Sequence, residues 1–399
     1  MKDNTSVKIN YQLELEKIIK EIEKNGDTPS LLLHSCCGPC SSYVLEYLSQ
    51  YFLITIFYYN PNIYPSEEYW YRVDEQQKII DITKAKNPIK MVTGAYDVER
   101  FYEMARGMED MREGGQRCHK CYEMRLKEAA IFAKKEGYDY FTTTLSISPH
   151  KNSQVLNHIA KDLSDQIGVK NLPSDFKKKG GYKRSCEITR EYGFYRQDYC
   201  GCVFSKREME ERNLSKEKRL LREKMKELGD SLDRNYMDQA DDRIIEKILV
   251  SKEYQDSNMI FTYLGVGNEI NTSKLIKKIL DDKKRVCLPY CVDDSQMLAY
   301  EIESLDDLTK NNYGIPEPDP NMYKLVEKSD IDYVLVPCCT VDMDGNRLGF
   351  GRGYYDRYLK DYKGYKALAI RKKQIADKVP VGHRDIKIEN IVSEWIKNE

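Results

Sequence analysis

The chain has 399 residues, more than one hydrophobic core ordinarily serves, which points to two domains. Its 64 Lys and Arg balance 65 Asp and Glu, so no global field drives it onto nucleic acid or anionic lipid, and any such binding needs a local patch. Hydrophobic residues at 41% with charged residues at 32% exclude a disordered or membrane-embedded chain, and the longest apolar run, 52–59, is far short of the roughly 20 residues a span requires. The opening residues, MKDNTSVKINYQLELEKII, lack the contiguous apolar stretch of a secretory signal, so a cytoplasmic protein with no membrane partner is expected. In that setting twelve cysteines argue for metal or redox chemistry over disulfides.

In chain order, 31–35 and 53–59 read as buried strands separated by a helix over about 41–49 that follows a Gly-Pro turn. Further strands are predicted at 90–92 and 140–144, with helices at 66–84 and 120–136. Such alternation argues for a parallel sheet flanked by helices, whose ligand site lies at the carboxyl ends of the strands. Eight cysteines, at 36, 37, 40, 118, 121, 186, 200 and 202, precede residue 206, after which the chain turns highly charged. There KREMEERNLSKEKRLLREKMKEL predicts a long solvated helix with an apolar stripe of Leu214, Leu221, Met225 and Leu228. The second domain is expected to begin in that helix, giving domains 1–206 and 207–399. The second half repeats the α/β logic with strands at 259–263, 285–289 and 333–337 and helices near 272–281 and 354–359.

The cysteines fall into three groups. LLLHSCCGPC delivers Cys36, Cys37 and Cys40 to a turn that opens a helix, where the macrodipole favours thiolates. Cys37-Gly38-Pro39-Cys40 is also the thioredoxin dithiol, but Cys36 stands where thioredoxins usually have Trp. RCHKCYEMR puts Cys118 and Cys121 at C-x-x-C spacing, which suits two ligands of one metal centre, zinc included. The third group is Cys186 with Cys200-Gly201-Cys202. A C-x-C pair suits an electron relay better than a structural staple, because the ring its disulfide closes is very small. The 176–196 segment interleaves Lys177, Lys178, Lys179, Lys183, Arg184, Arg190 and Arg196 with aromatics, which serves either an RNA loop or a plain solvated basic loop.

Together HSCCGPCS, RCHKCYEMR, FKKKGGYKRS and YRQDYCGC resemble the QueH-type epoxyqueuosine reductases over about 8–206. The resemblance implies a Rossmann-like domain, related to the adenine nucleotide α-hydrolases, that reduces epoxyqueuosine in the tRNA anticodon loop to queuosine. It also implies a 4Fe-4S cluster on Cys36, Cys37, Cys118 and Cys121, a redox-active pair at Cys200 and Cys202, and an electron donor not yet identified. Cys40 is then a fifth cysteine competing for four places. His34 and His119 are candidate proton donors or packed histidines.

In the second half, TVDMDGNRLGFGRGYYDRYLK follows a strand with Gly345, Gly349, Gly351 and Gly353 bracketing Arg347 and Arg352. Glycines let backbone N–H groups approach phosphate oxygens, a helix N-terminus adds its dipole, and Asp356 in the first helical turn is placed to hold Mg²⁺. With YGIPEPDP before it and VPVGHRDIKIENIVSE after it, this loop is similar to that of 5-formyltetrahydrofolate cyclo-ligases, a likeness covering about 213–399. The resemblance implies ATP binding by Lys218, Arg222 and 347–355 (Arg347, Gly349, Gly351, Gly353, Tyr354 and Tyr355 among them), Mg²⁺ on Asp356 and Asp385, and folate contacts at Leu264 and Glu269. The reading is therefore two α/β domains forming a bifunctional enzyme, with Lys177, Lys178 and Lys179 assigned to tRNA. The alternatives are one inactive half serving as a binding module, or a zinc-stabilised tRNA-binding first half.

Overall fold

Asn10 accepts a hydrogen bond from the Leu13 N–H and so opens α1 (Tyr11–Asn25), whose Leu15, Ile19 and Ile22 recur at helical spacing and lie buried. The computed structural model describes residues 8–311 and 314–395. It separates into two units between Glu210 and Glu211. In the first, β1 (Ser30–His34), α2 (Gly38–Leu48), β2 (Leu53–Tyr58), α3 (Ser66–Ile82), β3 (Lys90–Thr93), α4 (Val98–Ala105) and α5 (Gln116–Glu136) follow one another. They lead to β4 (Tyr140–Thr143), α6 (Ser153–Ile167), β5 (Lys170–Asn171) and α7 (Gly181–Glu191).

The five strands are all parallel in the order β3-β2-β1-β4-β5, the doubly flanked sheet expected from the alternation. The side-chain period of two divides the core between the faces of this sheet. Leu31 and Leu33 pack with Leu15, Ile19, Val44 and Ile79, whereas Leu32 packs with Ala129, Ala133, Leu156 and Ala160. Helix α2 begins earlier than predicted, because Pro39 is tolerated in a first turn whose N–H groups have no intrahelical partner. Helix α5 also starts earlier, at 116 and not 120, so Cys118 joins Cys121 on the helix, one turn apart. Most of the predicted basic loop at 176–196 is likewise α7.

Helix α8 (Val203–Ser231) contains the unit boundary, and α9 (Arg234–Val250), capped by Asp233, and α10 (Lys252–Asp256) follow. On α8, Leu214, Leu221 and Leu228 are half-buried and Met225 is buried, as their stripe predicted. Next come β6 (Met259–Phe261), α11 (Ser273–Asp281), β7 (Arg285–Cys291), β8 (Met297–Ile302), β9 (Thr309–Lys310), β10 (Pro316–Glu317), β11 (Lys324–Val326) and β12 (Tyr333–Val336). The described chain closes with β13 (Thr340–Val341), β14 (Arg347–Leu348), α12 (Tyr354–Tyr358), β15 (Tyr365–Ala369) and β16 (Asn390–Val392).

Seven strands form one sheet in the order β11-β8-β7-β6-β12-β15-β16. It is mixed, not parallel throughout: β8 runs antiparallel to both β7 and β11. Asp293 causes the reversal by accepting hydrogen bonds from the Ser295 N–H (2.7 Å), the Ser295 hydroxyl (2.7 Å) and the Gln296 N–H (2.8 Å), which pins a tight turn between β7 and β8. Among the described residues no helix is long and apolar enough to cross a membrane.

Candidate functional sites

In the first sheet the chain winds outward from β1 through β2 to β3 on one side and from β4 to β5 on the other. The crevice at the carboxyl ends of β1 and β4 is therefore its topological switch point. Cys36 and Cys37 leave β1 at this point. The thiols of Cys36, Cys37 and Cys40 lie within 4.8 Å of one another, with the first two sulfurs 3.7 Å apart. Gly38 permits this approach: a β-carbon there would stand 3.0 Å from both the Glu75 carbonyl oxygen and Ile79 of α3. Hydrogen bonds from the Cys37 and Cys40 thiols hold Cys36 well below the ordinary thiol range, with Lys151 and Arg125 acting in the same direction. Burial pushes Cys37 up, and the thiols of Cys36 and Cys37 raise Cys40, so within the trio the thiolate form is favoured at Cys36 over its two neighbours.

Cys118 packs in the same buried group as Cys36 and Cys37, and it accepts a hydrogen bond from the Gly114 N–H at 3.2 Å. Cys121, one turn on, packs with Cys202, Phe101 and Phe204. Burial raises their thiols to about 11 and about 12 respectively. Sequence reasoning left Cys40 as the spare cysteine, yet the fold puts it closest to Cys36 and Cys37.

Cys200 is half-buried, Cys202 is buried, and all twelve cysteines are free thiols. Gly201 between the pair has φ +130°, a region that side chains rarely enter, and a β-carbon there would meet Arg72 and Ile63 at 3.1 Å. The Arg72 guanidinium donates to the Cys200 carbonyl at 3.3 Å and stacks over Tyr199. The Gly201 carbonyl accepts from the Tyr64 N–H at 2.8 Å.

Among the described residues of this unit four cations are buried: Arg72, Arg117, Arg125 and Lys151. Glu68 pairs with Arg72 at 2.7 Å and Glu208 with Arg117 at 3.4 Å. Arg125 and Lys151 have no carboxylate partner among the described residues; Arg125 donates to Asn60, and its Nε has no acceptor. Burial opposes the Lys151 ammonium, but Cys200, Cys36, Tyr122 and Cys40 outweigh burial and raise it above its ordinary value. Buried cations without a carboxylate partner are costly unless another anion stands beside them, so this nest is built for negative charge. Of the four, Arg117 and Arg125 are the two ends of the RCHKCYEMR motif; nothing in the sequence marked Arg72 or Lys151.

His34 is fully buried, donates from Nε2 to the Tyr59 carbonyl (3.2 Å) and accepts at Nδ1 from the Thr143 hydroxyl (2.8 Å). Burial and then Arg125 lower it to about 3, so it is a neutral packed histidine. His119 is half-buried on α5, tilted against Tyr122.

The second unit holds a cavity of about 740 Å³ at the carboxyl ends of β6, β7 and β12. Its wall contains Lys218, Arg222, Leu264, Glu269, Arg347, Gly349, Gly351, Gly353, Tyr354, Tyr355, Asp356 and Asp385, bringing together residues up to 167 positions apart. Lys218 and Arg222, one helical turn apart on α8, both face it. Lys218 Nζ donates to Asp385 at 2.6 Å, and Arg222 Nε donates to the Gly349 carbonyl at 2.7 Å. Arg347 donates to Asp356 at 2.8 Å and to the Pro337 carbonyl at 3.0 Å, while Asp356 also accepts from the Ile386 N–H at 3.2 Å.

Gly351 (φ +110°) and Gly353 (φ +66°) turn the loop into α12. That helix has only five residues, too few peptide dipoles to make the N-terminal contribution expected from sequence, so positive charge here comes from side chains. Arg347 Nε and the Tyr355 hydroxyl, both in the wall, are buried without a hydrogen-bond partner among the described residues, which suits a polar ligand. Cys338 and Cys339 are half-buried; Cys338 packs against the core beside β12, and burial raises both thiols.

Glu269 lies in the loop after β6, where its carboxylate accepts from the Val266 N–H at 2.9 Å, and burial raises it to about 7. A carboxyl raised in the folded state binds a proton that the unfolded chain has already released. Its contribution is therefore fully present below the ordinary value near 4.5 and is lost as pH rises through 7. Glu269→Gln is expected to remove roughly 2.5 kcal/mol of that decline, measured as the difference between urea-unfolding free energies at pH 5 and pH 8. Equal slopes for the two proteins would show that Glu269 titrates as an ordinary carboxylate.

Comparison with known proteins assigns the two sets of residues to two families. Residues 31–208 match the family model "Epoxyqueuosine reductase QueH", and 214–394 match that of the 5-formyltetrahydrofolate cyclo-ligase family. The epoxyqueuosine reductase QueH of Staphylococcus epidermidis is 45% identical over 202 residues, covering 50% of this chain and 85% of that protein. That of Streptococcus pyogenes serotype M1 is 43% identical over 204 residues, with coverage of 51% and 80%. Among solved structures, the 5,10-methenyltetrahydrofolate synthetase of Aquifex aeolicus aligns with TM-score 0.41 and 28% identity over 45% of this chain and 90% of that one. The chain belongs to the epoxyqueuosine reductase QueH family through its first half and carries a domain of the 5-formyltetrahydrofolate cyclo-ligase family in its second.

Proposed function

We propose that this is a bifunctional enzyme. Its first unit reduces the epoxide of epoxyqueuosine in a tRNA anticodon loop to the alkene of queuosine, and its second uses ATP and Mg²⁺ to convert 5-formyltetrahydrofolate to 5,10-methenyltetrahydrofolate. The observation that carries the first half is the pair of buried cations without a carboxylate partner, Arg125 and Lys151, beside a thiol nest at the switch point. That charge pattern fits a 4Fe-4S cluster held by Cys36, Cys37, Cys118 and Cys121, whose thiolates together need such cations. The cluster would supply electrons one at a time.

Loss of an epoxide oxygen as water consumes two electrons and two protons. Cys200 and Cys202 can deliver both, because closing two thiols to a disulfide releases the same two electrons and two protons. Gly201 lets the backbone turn between them, and Arg72 anchors the Cys200 carbonyl. Cys202→Ser is expected to abolish turnover while leaving iron and acid-labile sulfide in anaerobically purified protein unchanged. Undiminished queuosine formation would leave the pair a structural role, and stoichiometric zinc in an active protein without iron would replace the cluster reading with a zinc site.

The tRNA-binding assignment of Lys177, Lys178 and Lys179 narrows on geometry. Lys177 pairs with Asp175 at 3.3 Å and donates to the Lys151 carbonyl, and Lys179 pairs with Glu16 at 2.5 Å. Lys178 is exposed and has the most freedom to meet a phosphate. Lys178→Ala should lower the slope of log affinity against log salt by about one, and the triple neutralisation by no more than about three. An unchanged slope in filter binding with unmodified tRNA would place the RNA surface elsewhere.

In the second unit, Mg²⁺ on Asp356 and Asp385 would neutralise phosphate charge. Lys218, Arg222 and Arg347 would grip the phosphates, and the glycines at 349, 351 and 353 would admit them close to the backbone. Transfer of phosphate to the formyl oxygen makes that carbon electrophilic, N10 closes onto it, and phosphate leaves. Leu264 and Glu269, which line the same cavity, would contact the folate. Following methenyltetrahydrofolate absorbance with ATP present and absent tests the reaction, and conversion that ignores ATP would overturn it.

A further inference from the structure

The loop between β6 and α11 carries Leu264, Val266 and Glu269 into the cavity wall, yet it contains neither strand nor helix. Its backbone doubles back tightly: a β-carbon on Gly265 would stand 1.9 Å from the Ile270 carbonyl oxygen, and the Thr272 hydroxyl bridges the Gly265 N–H and the Tyr263 carbonyl. What holds it from outside is a buried ion pair. Arg371, just past β15, and Asp241, on α9, are 1% and 3% exposed.

Arg371 Nε and Nη2 fork onto the two oxygens of Asp241 at 2.7 and 2.8 Å. Nη1 donates to the Asn268 carbonyl at 2.9 Å and to the Gln374 side chain at 3.1 Å, and Nη2 also donates to the Glu269 carbonyl at 3.0 Å. All five N–H bonds of the guanidinium thus have acceptors, two of them backbone carbonyls of the loop. Asp241 holds the same loop with its other hand, accepting from the Asn271 N–H at 2.9 Å. Neither side chain lines the cavity.

A buried ion pair contributes little net stability compared with apolar packing, so its effect is chiefly on which conformation is adopted. We propose that Arg371 and Asp241 are positioning residues that set the 264–272 loop, and through it the grip on the folate substrate, without touching either reactant. The proposal rests on the folate reading of the second unit. Asp241 also binds the Arg371 charge, so the guanidinium meets Glu269 only at its carbonyl and leaves that carboxylate to the substrate.

The test uses the full chain with Arg371→Lys, which keeps the charge opposite Asp241 but loses the fork, and Asp241→Asn, which keeps the shape but loses the charge. Arg371→Lys is expected to raise KM for 5-formyltetrahydrofolate about tenfold, the size of one lost charge-assisted hydrogen bond, with KM for ATP within about twofold of the parent. Amide hydrogen exchange should rise in 262–272 and stay unchanged in the central strands β6 and β12. Both KM values moving together, or exchange in the loop staying at the parent level in both variants, overturns the proposal. If the parent protein shows no cyclo-ligase activity, the folate reading fails by itself, and loop exchange still decides whether the pair sets the loop. Should Arg371→Lys not fold, Asp241→Asn carries the same two readouts.

Discussion

Asp356→Asn is expected to lower ATP-dependent formation of methenyltetrahydrofolate by two to three orders of magnitude, the usual size for removing one preorganised charge from a site where charge develops. The carboxylate sits between the Arg347 guanidinium and the Ile386 N–H, so its first oxygen is already fixed. Asparagine keeps the size but leaves Arg347, whose side chain is 4% exposed, without its counter-charge. Removing one partner of such a pair costs about 3 kcal/mol or more when both are buried, and less here because Asp356 is 21% exposed. Unfolding of the variant must therefore be measured beside its rate, so that lost chemistry is not confused with lost protein. Epoxide reduction should survive, since every residue proposed for it precedes the boundary at Glu210. Full cyclo-ligase activity would remove Asp356 from the site, and loss of both activities in a folded protein would show that the two reactions are coupled.

Cys118→Ala is expected to abolish the broad visible absorption of anaerobically purified protein and, with it, queuosine formation. Cys118 packs in the same buried cluster as Cys36 and Cys37, and under the proposed cluster its sulfur would join theirs as a ligand. Cys40→Ala is the necessary partner experiment, because the Cys40 sulfur lies within 4.8 Å of the same two. If Cys118 and Cys121 complete the ligand set, the Cys40 variant keeps its chromophore while the Cys118 variant loses it. The reverse pattern would assign Cys40 to the cluster. Metal binding must displace protons from at least Cys37, Cys118 and Cys121, whose thiols burial raises, so assembly should release acid and weaken as pH falls.

Much of this protein was readable from residue patterns alone, because the deciding physics is local. A run such as LLLHSCC, apolar on both faces and ending at a Gly-Pro turn, can be little else than a central parallel strand feeding a helix. The stripe of Leu214, Leu221, Met225 and Leu228 likewise located the buried side of α8; Lys218 and Arg222 came from the family resemblance, and the 3.6-residue period adds only that the two share one face. The motifs at Cys36, Cys118, Cys200 and Gly349 were sufficient for the two families. Element ends and the reversal at β8 were not readable, since hydrogen bonds donated to the Asp293 carboxylate decide the reversal and first-turn packing the ends.

What only the tertiary structure decided is who neutralises whom. Charge balance depends on distances between residues remote in sequence, and no spacing rule reaches from Lys218 to Asp385 or from Asp241 to Arg371. The same holds for Lys177 and Lys179, which composition marked as free cations and the fold ties to Asp175 and Glu16. It holds again for Arg125 and Lys151, ordinary surface residues by composition, which the fold buries without carboxylates beside the thiols. Sequence by itself determined which chemistries were present and on which elements, because those follow from residue type and local period. Burial, which sets the electrostatic cost of every charge, is a property of the packed chain, and it decided which of those groups stand ready for a ligand and which are already paired.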